Sequence, residues 1–470
     1  MSSNNSIGHD REPRTRTDSA AASSGGELRV LILMLENWRP TPRLAKSLHE
    51  AGFKVAALCS PGNWLCKTRY VDEVLTFPEG AARGVIKSVG RGLRKVAPGL
   101  VQMATRDPGS GVRRNLETRL SSARVVESLV AAMRRPERTL LICGDELARR
   151  FLNHLVRVSE QAGAGAPGLP SDVLAQLRFS FGPPDFYDAA NRKSALYELA
   201  HRIGVRQPCP EPVSTIDEID RFAGRIGYPI VLKRDFTSGG DGVAVCRDRG
   251  EAGAALARLQ SLGPEAESPV CLAENGSRPE FLKDEARITA HKFIRGAAGL
   301  CGVAALEGRL LASFTATKLE VRWDNGPSSV VRFARNQEME QAAARLVGAI
   351  GFTGIGEVEF MIEEGTSHAY LCEFNPRPAP TSHLGGLVGA DLCRALHDAL
   401  AGNLRAGSQP LSTQGERVVA LFPQEWIRDP SSEWLLRAWH DVPWDDPPLL
   451  EALIRDGISA GRRDSLAPKA

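Results

Sequence analysis

The sequence predicts a multidomain protein of mixed α/β and α+β class, on three observations. Its 470 residues exceed the roughly 100–200 residues that one domain usually holds. Between residues 28 and 59 a strand, a helix and a second strand follow one another, which is the pattern of a βαβ unit in a parallel sheet. Beyond residue 184 the pattern changes, and the segment YPIVLKRDFTSGGDGVAVCRD predicts two strands joined by a glycine-rich turn.

Composition narrows the class of protein further. Hydrophobic residues make up 42% and charged residues 24%, as in an ordinary globular chain, and a net charge of +3 does not indicate a nucleic-acid partner. No apolar run approaches the roughly 18 residues of a transmembrane helix. Residues 1–27 lack the apolar core of a signal peptide, so we expect a disordered tail there. The nine dispersed cysteines contain no CxxC pair, which favours reduced thiols and a cytoplasmic location.

The first predicted domain covers residues 28–183. The run LRVLILML, beginning at Leu28, is apolar throughout and predicts a strand buried on both faces. A helix follows Pro40 and ends at Gly52, and the strands FKVAALC and TLLICGDE come after it. This region resembles the start of a Rossmann-type domain, although the GxGxxG fingerprint of dinucleotide sites is absent. A Gly/Ala/Pro linker at 161–170 closes it.

A basic stretch at residues 83–114 interrupts this domain. Apolar residues from Ile86 to Leu100 recur at helical spacing, and arginines and lysines occupy another face. The favoured interpretation is a surface helix packed on its own domain. The alternative is contact with a membrane surface through residues 83–100.

The second predicted domain covers residues 184–405 and a C-terminal extension covers 406–470. Helices are expected up to Ile203 and over 214–226, 249–261, 337–350 and 390–402. Strands are expected at 287–294, 300–306 and 309–317, and in the segments YPIVLKR, VAVC, GIGEVEFMIE and AYLCEFNPRP. The extension contains no motif that indicates chemistry.

The segment VLKRDFTSGGDGV suggests a phosphate-binding loop. Lys233 lies where the strand leaves the core, and Ser238, Gly239, Gly240 and Gly242 form a flexible turn beside it. Glycines allow backbone N–H groups to close around phosphate oxygens, and a lysine supplies positive charge. The alternative is an ordinary hairpin turn, since GGDG is also common there.

The pair GEVEFMIE and AYLCEFNPRP is the more informative signal. Strand alternation places Glu357 and Glu359 on one face, and Glu373 and Asn375 on one face of the next strand, with Val358, Phe360, Cys372 and Phe374 on the apolar faces. If the strands pair, Glu359, Glu373 and Asn375 form an oxygen set suited to Mg²⁺. Arg377 is then near enough to bind a phosphoryl or carboxyl group. A solvent-facing hairpin is the alternative, but the Asn-Pro-Arg sequence is unusual for a continuing strand.

Together these residues resemble the ATP-grasp superfamily over about residues 184–405. The resemblance implies a two-lobed ATP-grasp fold with a lid subdomain at about 214–296, preceded by a Rossmann-like pre-ATP-grasp domain. It assigns ATP phosphate contacts to Lys193 and Lys233, with Ser238, Gly239, Gly240 and Gly242 covering them. It assigns the adenine hinge to backbone groups of Lys292 and Ile294, and Mg²⁺, or Mn²⁺ in its place, to Glu359, Glu373 and Asn375. Arg377 and Lys233 are the implied catalytic residues. His291 departs from the hinge sequence of many relatives, and its role as a ribose contact stays open against that of a solvent-facing histidine.

The resemblance also implies an activity. We expect an ATP-dependent carboxylate–amine or carboxylate–thiol ligase that forms an acyl phosphate, with small-molecule substrates and a homodimer as one assembly. Lys318 and Arg332 are candidates for the contact to the substrate carboxylate. Two alternatives remain: a carboxylase acting on bicarbonate, and a non-catalytic module that binds ATP or ADP. The absence of a biotin-attachment signal disfavours the first, and retention of the lysines, metal ligands and Arg377 disfavours the second.

Overall fold

A computed structural model describes most of the chain. It covers residues 27–77, 124–135, 137–161, 169–183, 186, 187, 189, 192–235, 237, 240, 242–262, 286–323, 326–404 and 409–466. The predicted tail before residue 27, the basic stretch at 83–114 and the middle of the linker, residues 162–168, lie outside these ranges.

The N-terminal sheet has four parallel strands, which confirms the α/β part of the prediction. They are β1 (Leu28–Leu33), β2 (Lys54–Cys59), β3 (Glu73–Thr76) and β4 (Arg138–Cys143), in the order β3-β2-β1-β4. Its helices are α1 (Pro40–Ala51), α2 (124–133), α3 (Glu146–Gln161) and α4 (Ser171–Phe181). Val30 and Ile32 enter one hydrophobic core, and Leu31 and Leu33 enter another on the opposite face. Burial on both faces explains why β1 is apolar throughout.

A second, smaller sheet is antiparallel. After α5 (Lys193–Arg202) come β5 (Glu211–Pro212), α6 (Ile216–Ile226), β6 (Ile230–Arg234), β7 (Val243–Cys246), α7 (Arg249–Ser261) and β8 (Ile288–Lys292). The strand order is β5-β8-β6-β7. Helices α6 and α7 cover one face with a compact apolar core that includes Phe222 and Leu259. The other face carries Lys233 and His291.

The third sheet has seven strands. They are β9 (Gly296–Leu306), β10 (Arg309–Val321), β11 (Ser328–Phe333), β12 (Gly354–Glu363), β13 (Ala369–Asn375), β14 (Arg417–Ala420) and β15 (Trp439–His440), in the order β13-β12-β9-β10-β11-β14-β15. The accompanying helices are α8 (Gln337–Ile350), α9 (Leu392–Leu400), α10 (Gln424–Arg428), α11 (Trp434–Arg437) and α12 (Pro447–Leu466). The C-terminal region therefore completes this sheet with two strands.

Two local predictions about strands are wrong. The strand expected at 309–317 continues to Val321, so Lys318 lies inside the strand. In the β12–β13 pair the register shifts between Glu359 and Phe360, so that Phe360 lies opposite Leu371. This bulge makes Cys372 the extra residue, and its side chain lines the central cavity instead of joining the core.

In the described ranges, no helix combines the length and apolarity needed to cross a bilayer. The eight cysteines within those ranges are free thiols.

Candidate active site

A cavity of about 640 Å³ lies where the three sheets meet. The N-terminal sheet contributes residues that follow β1 and β4, the small sheet contributes the polar face of β6 and β8, and the large sheet contributes β9, β10, β12 and β13. Of the predicted site residues, the following line it: Lys193, Lys233, Gly240, Lys292, Ile294, Glu359, Glu373, Asn375 and Arg377.

Lys233 projects into the cavity from β6. Its Nζ donates a hydrogen bond of 3.2 Å to the hydroxyl of Tyr197 on α5. Burial alone would lower the pKa of Lys233, but its contacts with Tyr197 and the nearby Glu373 carboxylate outweigh burial and raise it. The side chain therefore keeps its positive charge at neutral pH.

Lys193, the first residue of α5, also lines the cavity. Its Nζ donates a 2.8 Å hydrogen bond to the backbone carbonyl of Thr237 at the base of the glycine-rich turn. Asp235 fixes this arrangement, because its carboxylate accepts hydrogen bonds from the backbone N–H and the hydroxyl of Ser194 at 3.0 and 2.7 Å. The start of α5 is thus tied to the end of β6, which brings the two lysines to one cavity.

The glycine-rich turn is tightly packed at its described positions. Gly240 has a φ of 94°, a backbone conformation that favours glycine. A Cβ atom on Gly242 would lie 1.8 Å from Oγ1 of Thr237, so only glycine fits there. The predicted loop residues Ser238 and Gly239 lie outside the described residues.

The hinge after β8 places two of its predicted residues at the cavity. Ile294 is buried, and the Lys292 side chain forms a 3.4 Å ion pair with Glu363. The backbone N–H of Lys292 donates a hydrogen bond to the carbonyl of Pro208. His291 is 1% exposed, so the solvent-facing alternative for this residue is wrong.

The hairpin β12–β13 brings the predicted oxygen ligands together. Glu359 lies directly opposite Glu373, and Glu357 lies directly opposite Asn375. The apolar side chains between them, Val358, Phe360 and Phe374, are at most 3% exposed and hold the hairpin on the core.

Lys318 reaches this hairpin from β10. Its Nζ lies 2.8 Å from Oε2 of Glu359, and its side chain is 8% exposed. Burial would lower the pKa of Lys318, but the carboxylates of Glu359 and Glu357 outweigh burial and raise it. Burial raises the pKa of Glu357, and the neighbouring Glu359 raises it further. In Glu359, the charge of Lys318 overcomes burial and holds the pKa below its usual value.

These residues also allow a test of the predicted metal site. Glu373 faces the cavity and accepts no hydrogen bond from the described residues, so both of its oxygens are available. Asn375 Oδ1 has one long contact, 3.5 Å from Arg377, and Glu359 retains one oxygen beyond its bond to Lys318. No group of three His, Cys, Asp or Glu side chains in the described ranges is arranged as a ready metal site. Two carboxylates and one amide, completed by phosphate oxygens, nevertheless fit a hard divalent cation.

Arg377 connects this hairpin to the N-terminal sheet. Its Nε lies 3.3 Å from Oε2 of Glu146, and its guanidinium lies 5.0 Å above the ring of Trp38. Glu146 also binds Arg149 and Arg150, and these three arginines outweigh burial and hold its pKa well below the usual value. Arg332, the other predicted carboxylate contact, is exposed on β11.

The N-terminal wall of the cavity holds acidic groups that the sequence analysis did not single out. Glu36 follows β1, and Asp145 and Glu146 follow β4, the neighbouring strand. Burial, with Asp145 and Glu146 nearby, raises the pKa of Glu36 to about 7, and burial raises that of Asp145 to about 6. The sequence contained a signal for these residues, because they directly follow predicted strands of a parallel sheet. Ligands of open parallel sheets bind beyond the carboxyl ends of the strands.

Parts of the chain are similar in sequence to known proteins. Residues 191–276 match the family described as carbamoyl-phosphate synthase L chain, ATP binding domain. The large chain of carbamoyl phosphate synthase from Thermus thermophilus is 26% identical over 194 residues, which are 41% of this chain and 18% of that protein. The chain thus spans about a fifth of the length of such curated relatives.

Solved structures show a likeness over most of the chain. Biotin carboxylase from Campylobacter jejuni, in a β-γ-ATP complex, has a TM-score of 0.54 at 15% identity, covering 83% of this chain and 74% of that one. The biotin carboxylase domain dimer of the 2-oxoglutarate carboxylase of Hydrogenobacter thermophilus, with MgADP, ADP and bicarbonate, has a TM-score of 0.52 at 15% identity. It covers 83% of this chain and 73% of that domain.

The matched family and both solved structures are ATP-grasp proteins, and this chain has the ATP-grasp fold. The prediction made from the lysines, the glycine-rich turn and the VEF and EFNPR segments is confirmed at that level. The family match ends at residue 276, before β12 and β13, so it includes both predicted phosphate lysines and neither strand of the β12–β13 hairpin.

Proposed function

We propose that this protein is an ATP-dependent ligase that activates a carboxylate as an acyl phosphate and transfers the acyl group to an amine. The observation that supports it most is the meeting of Lys193 and Lys233 with Glu359, Glu373 and Asn375 around one cavity. The positive charges of the two lysines suit the phosphates of ATP. The carboxylate and amide oxygens suit the Mg²⁺ ion that accompanies ATP.

The first step transfers the γ-phosphoryl group of ATP. A carboxylate oxygen of the substrate attacks the phosphorus, the bond to the β–γ bridging oxygen breaks, and ADP leaves. Lys193 and Lys233 offset the negative charge of the phosphates, and Arg377 offers its guanidinium to the transferred group. These side chains are held in place before the substrate arrives, so little reorganisation is needed during the reaction.

Glu359, Glu373 and Asn375 would hold Mg²⁺, which would neutralise phosphate charge when bound. Mn²⁺, which prefers similar oxygen ligands, is the proposed substitute.

The second step uses an amine. Its nitrogen attacks the acyl carbon, phosphate leaves with the C–O bond electrons, and the nitrogen loses a proton. The acidic wall formed by Glu36, Asp145 and Glu146 supports a nitrogen nucleophile, since carboxylates accept hydrogen bonds from N–H groups. A thiol, the other nucleophile considered, would gain less from this wall.

Bicarbonate is a second candidate for the acid. The likeness to biotin carboxylases, one of them in complex with bicarbonate, favours it. Bicarbonate would yield carboxyphosphate by the same first step. A non-catalytic ATP- or ADP-binding module is disfavoured, because both predicted phosphate lysines, the predicted metal ligands and Arg377 line the cavity.

The test is ADP release by the purified full-length chain with ATP and Mg²⁺. Bicarbonate, small carboxylic acids and amino acids are added singly and then with an amine. Release that requires one acid and increases with one amine supports the ligase. Release with bicarbonate alone supports the carboxylase, and tight nucleotide binding without release under any combination would overturn both. A cytoplasmic location and a homodimer remain predictions, which fractionation and sedimentation would test.

A further inference from the structure

Two cysteines of the N-terminal sheet region lie in sulfur–sulfur contact. Cys59 is the last residue of β2, and Cys66 is the last residue of a single 3₁₀ turn, Trp64–Cys66. Their Sγ atoms are 3.6 Å apart, and both residues are free thiols. A disulfide bond holds two sulfurs about 2.05 Å apart, so a displacement of about 1.5 Å would bring these thiols to bonding distance.

The surroundings of the two thiols differ. Cys59 is fully buried, and burial, with Cys66 beside it, raises the pKa of the Cys59 thiol well above its usual value. Cys66 is half-buried at the edge of the same apolar core. A dissolved oxidant therefore reaches Cys66 first, while Cys59 stays a neutral thiol next to it. Because a disulfide carries no charge, the burial that opposes a thiolate does not oppose the bond.

The strand that carries Cys59 is fixed more firmly than the turn that carries Cys66. Strand β2 lies between β1 and β3, and the carbonyl of Cys59 accepts a 3.2 Å hydrogen bond from the backbone N–H of Phe77. The segment leading to the turn includes Pro61 and Gly62, which are exposed. Formation of the bond should therefore displace residues 60–66 and leave the sheet in place.

The same turn supports one wall of the central cavity. Nδ2 of Asn63 donates a 3.2 Å hydrogen bond to the carbonyl of Glu36, and the backbone N–H of Trp64 donates a 3.0 Å hydrogen bond to Oδ1 of Asn37. Glu36, Asn37 and Trp38 line the cavity. A displacement of the turn therefore reaches the cavity wall through these two hydrogen bonds.

We propose that Cys59 and Cys66 form a reversible disulfide in response to a peroxide, and that this bond loosens residues 36–38 of the cavity wall. The Cys66 thiolate attacks one oxygen of hydrogen peroxide, the O–O bond breaks, and the released hydroxide takes up the former thiol proton as water, leaving a sulfenic acid. The Cys59 sulfur then attacks the sulfenic sulfur, the S–O bond breaks, and the hydroxyl group leaves with the Cys59 proton as a second water. The two sulfurs are oxidised and the peroxide is reduced. The bond needs no nucleotide, so this inference is independent of the proposed function.

The experiment treats the purified full-length chain with one equivalent of hydrogen peroxide. Thiols titrated after denaturation should fall from nine to seven, since a disulfide takes up two, and peptide mapping should find Cys59 bonded to Cys66. Dithiothreitol should restore all nine. Hydrogen exchange of the amides at 35–38 and 63–65 should become about five- to tenfold faster in the oxidised protein, the size expected for the loss of one hydrogen bond.

Three variants complete the test. Cys66→Ser should show no peroxide effect on exchange at residues 35–38, and Cys59→Ala should behave in the same way if Cys66→Ser does not fold. Cys209→Ser, at an exposed cysteine, is the matched control and should still lose two thiols and show the faster exchange.

Two results would overturn the inference. One is wild-type protein that keeps nine thiols, or in which Cys66 is oxidised without a bond to Cys59. The other is a bond between these cysteines that leaves exchange at residues 35–38 unchanged, because the cavity wall would then not respond to the bond.

Discussion

At the scale of single residues, the cavity holds two neighbouring glutamates, and a buried lysine pairs with one of them. Glu357 and Glu359 are close enough to affect one another's ionisation, and only one of them has a lysine in hydrogen-bond contact. Lys318 therefore favours the ionised form of Glu359. Glu357 has no such cation in hydrogen-bond contact, and its carboxyl group accepts a hydrogen bond from the hydroxyl of Thr381. Neutralising one member of this cluster should change metal binding more than stability.

Glu373→Gln tests that expectation. The substitution keeps the size of the side chain and removes one negative charge from an oxygen that no described hydrogen bond holds. ADP release should fall at least about a hundredfold, and the thermal midpoint should change by less than about 2 °C. Glu364→Gln, at an exposed glutamate beyond β12, should leave both unchanged. Wild-type ADP release in Glu373→Gln would refute the metal assignment.

Lys233→Met tests the phosphate role of the buried lysine. Methionine keeps the length and loses the charge, so ATP affinity should fall about tenfold or more, measured by calorimetry. AMP has no β- or γ-phosphate and should lose less. Lys67→Met, an exposed lysine, is the control. Equal losses for ATP and AMP would place Lys233 away from these phosphates.

Residue type and spacing were enough to place Glu359, Glu373 and Asn375 together on one hairpin, because strand alternation is set locally. The pairing of Lys318 with Glu359 could not be predicted in this way. It joins residues 41 positions apart on strands that are not neighbours in the sheet, so it depends on the curvature and order of the sheet.

At the scale of secondary-structure elements, the β12–β13 hairpin departs from strict alternation. Its bulge turns Cys372 toward the cavity and lets Leu371 fill the core opposite Phe360. Local sequence indicates which residues are apolar, but it does not indicate which of two adjacent apolar residues becomes the extra one. That choice is set by cross-strand packing.

The turn between β6 and β7 gives a prediction at this scale. Gly242→Ala would place a methyl group on the Thr237 side chain, so the turn must move away from its position beside Lys193. ATP affinity should fall about tenfold while the urea midpoint of the whole chain changes little. Gly224→Ala on α6 has no neighbour within 4 Å and should stabilise the helix by roughly 0.5–1 kcal/mol without affecting ATP. An unchanged ATP affinity in Gly242→Ala would show that the turn does not form part of the nucleotide site.

At the scale of the whole molecule, the cavity depends on contacts between distant parts of the chain. The indole Nε1 of Trp38 donates a 3.1 Å hydrogen bond to the carbonyl of Pro378, and Arg377 binds Glu146. The sequence predicted three regions, but their mutual placement follows from long-range packing that no local pattern records. The acidic wall was missed for this reason, since its residues belong to the N-terminal sheet and act in a cavity shared with the C-terminal one.

Glu36 on that wall has a pKa of about 7, raised from 4.5 first by burial and then by Asp145 and Glu146, and Arg150 opposes the shift. The unfolded chain releases this proton at lower pH than the folded protein does. Between pH 4.5 and about 7 the folded state therefore holds the extra proton, and stability falls as pH rises.

Glu36→Gln should remove this dependence. Near pH 4.5 the variant and wild type should unfold at similar urea concentrations, and at pH 8 the variant should be more stable by about 1–2 kcal/mol, since it has no charge to bury. The measurement is the free energy of urea unfolding at both pH values. Glu451→Gln, at an exposed glutamate, is the control, and its unfolding free energy should equal that of wild type at both pH values. A stability difference between Glu36→Gln and wild type that is equal at both pH values would mean that Glu36 ionises normally. A gap that opens only at high pH would show that the cavity keeps an unfavourable carboxylate, which in a folded protein is typical of a group retained for binding or chemistry.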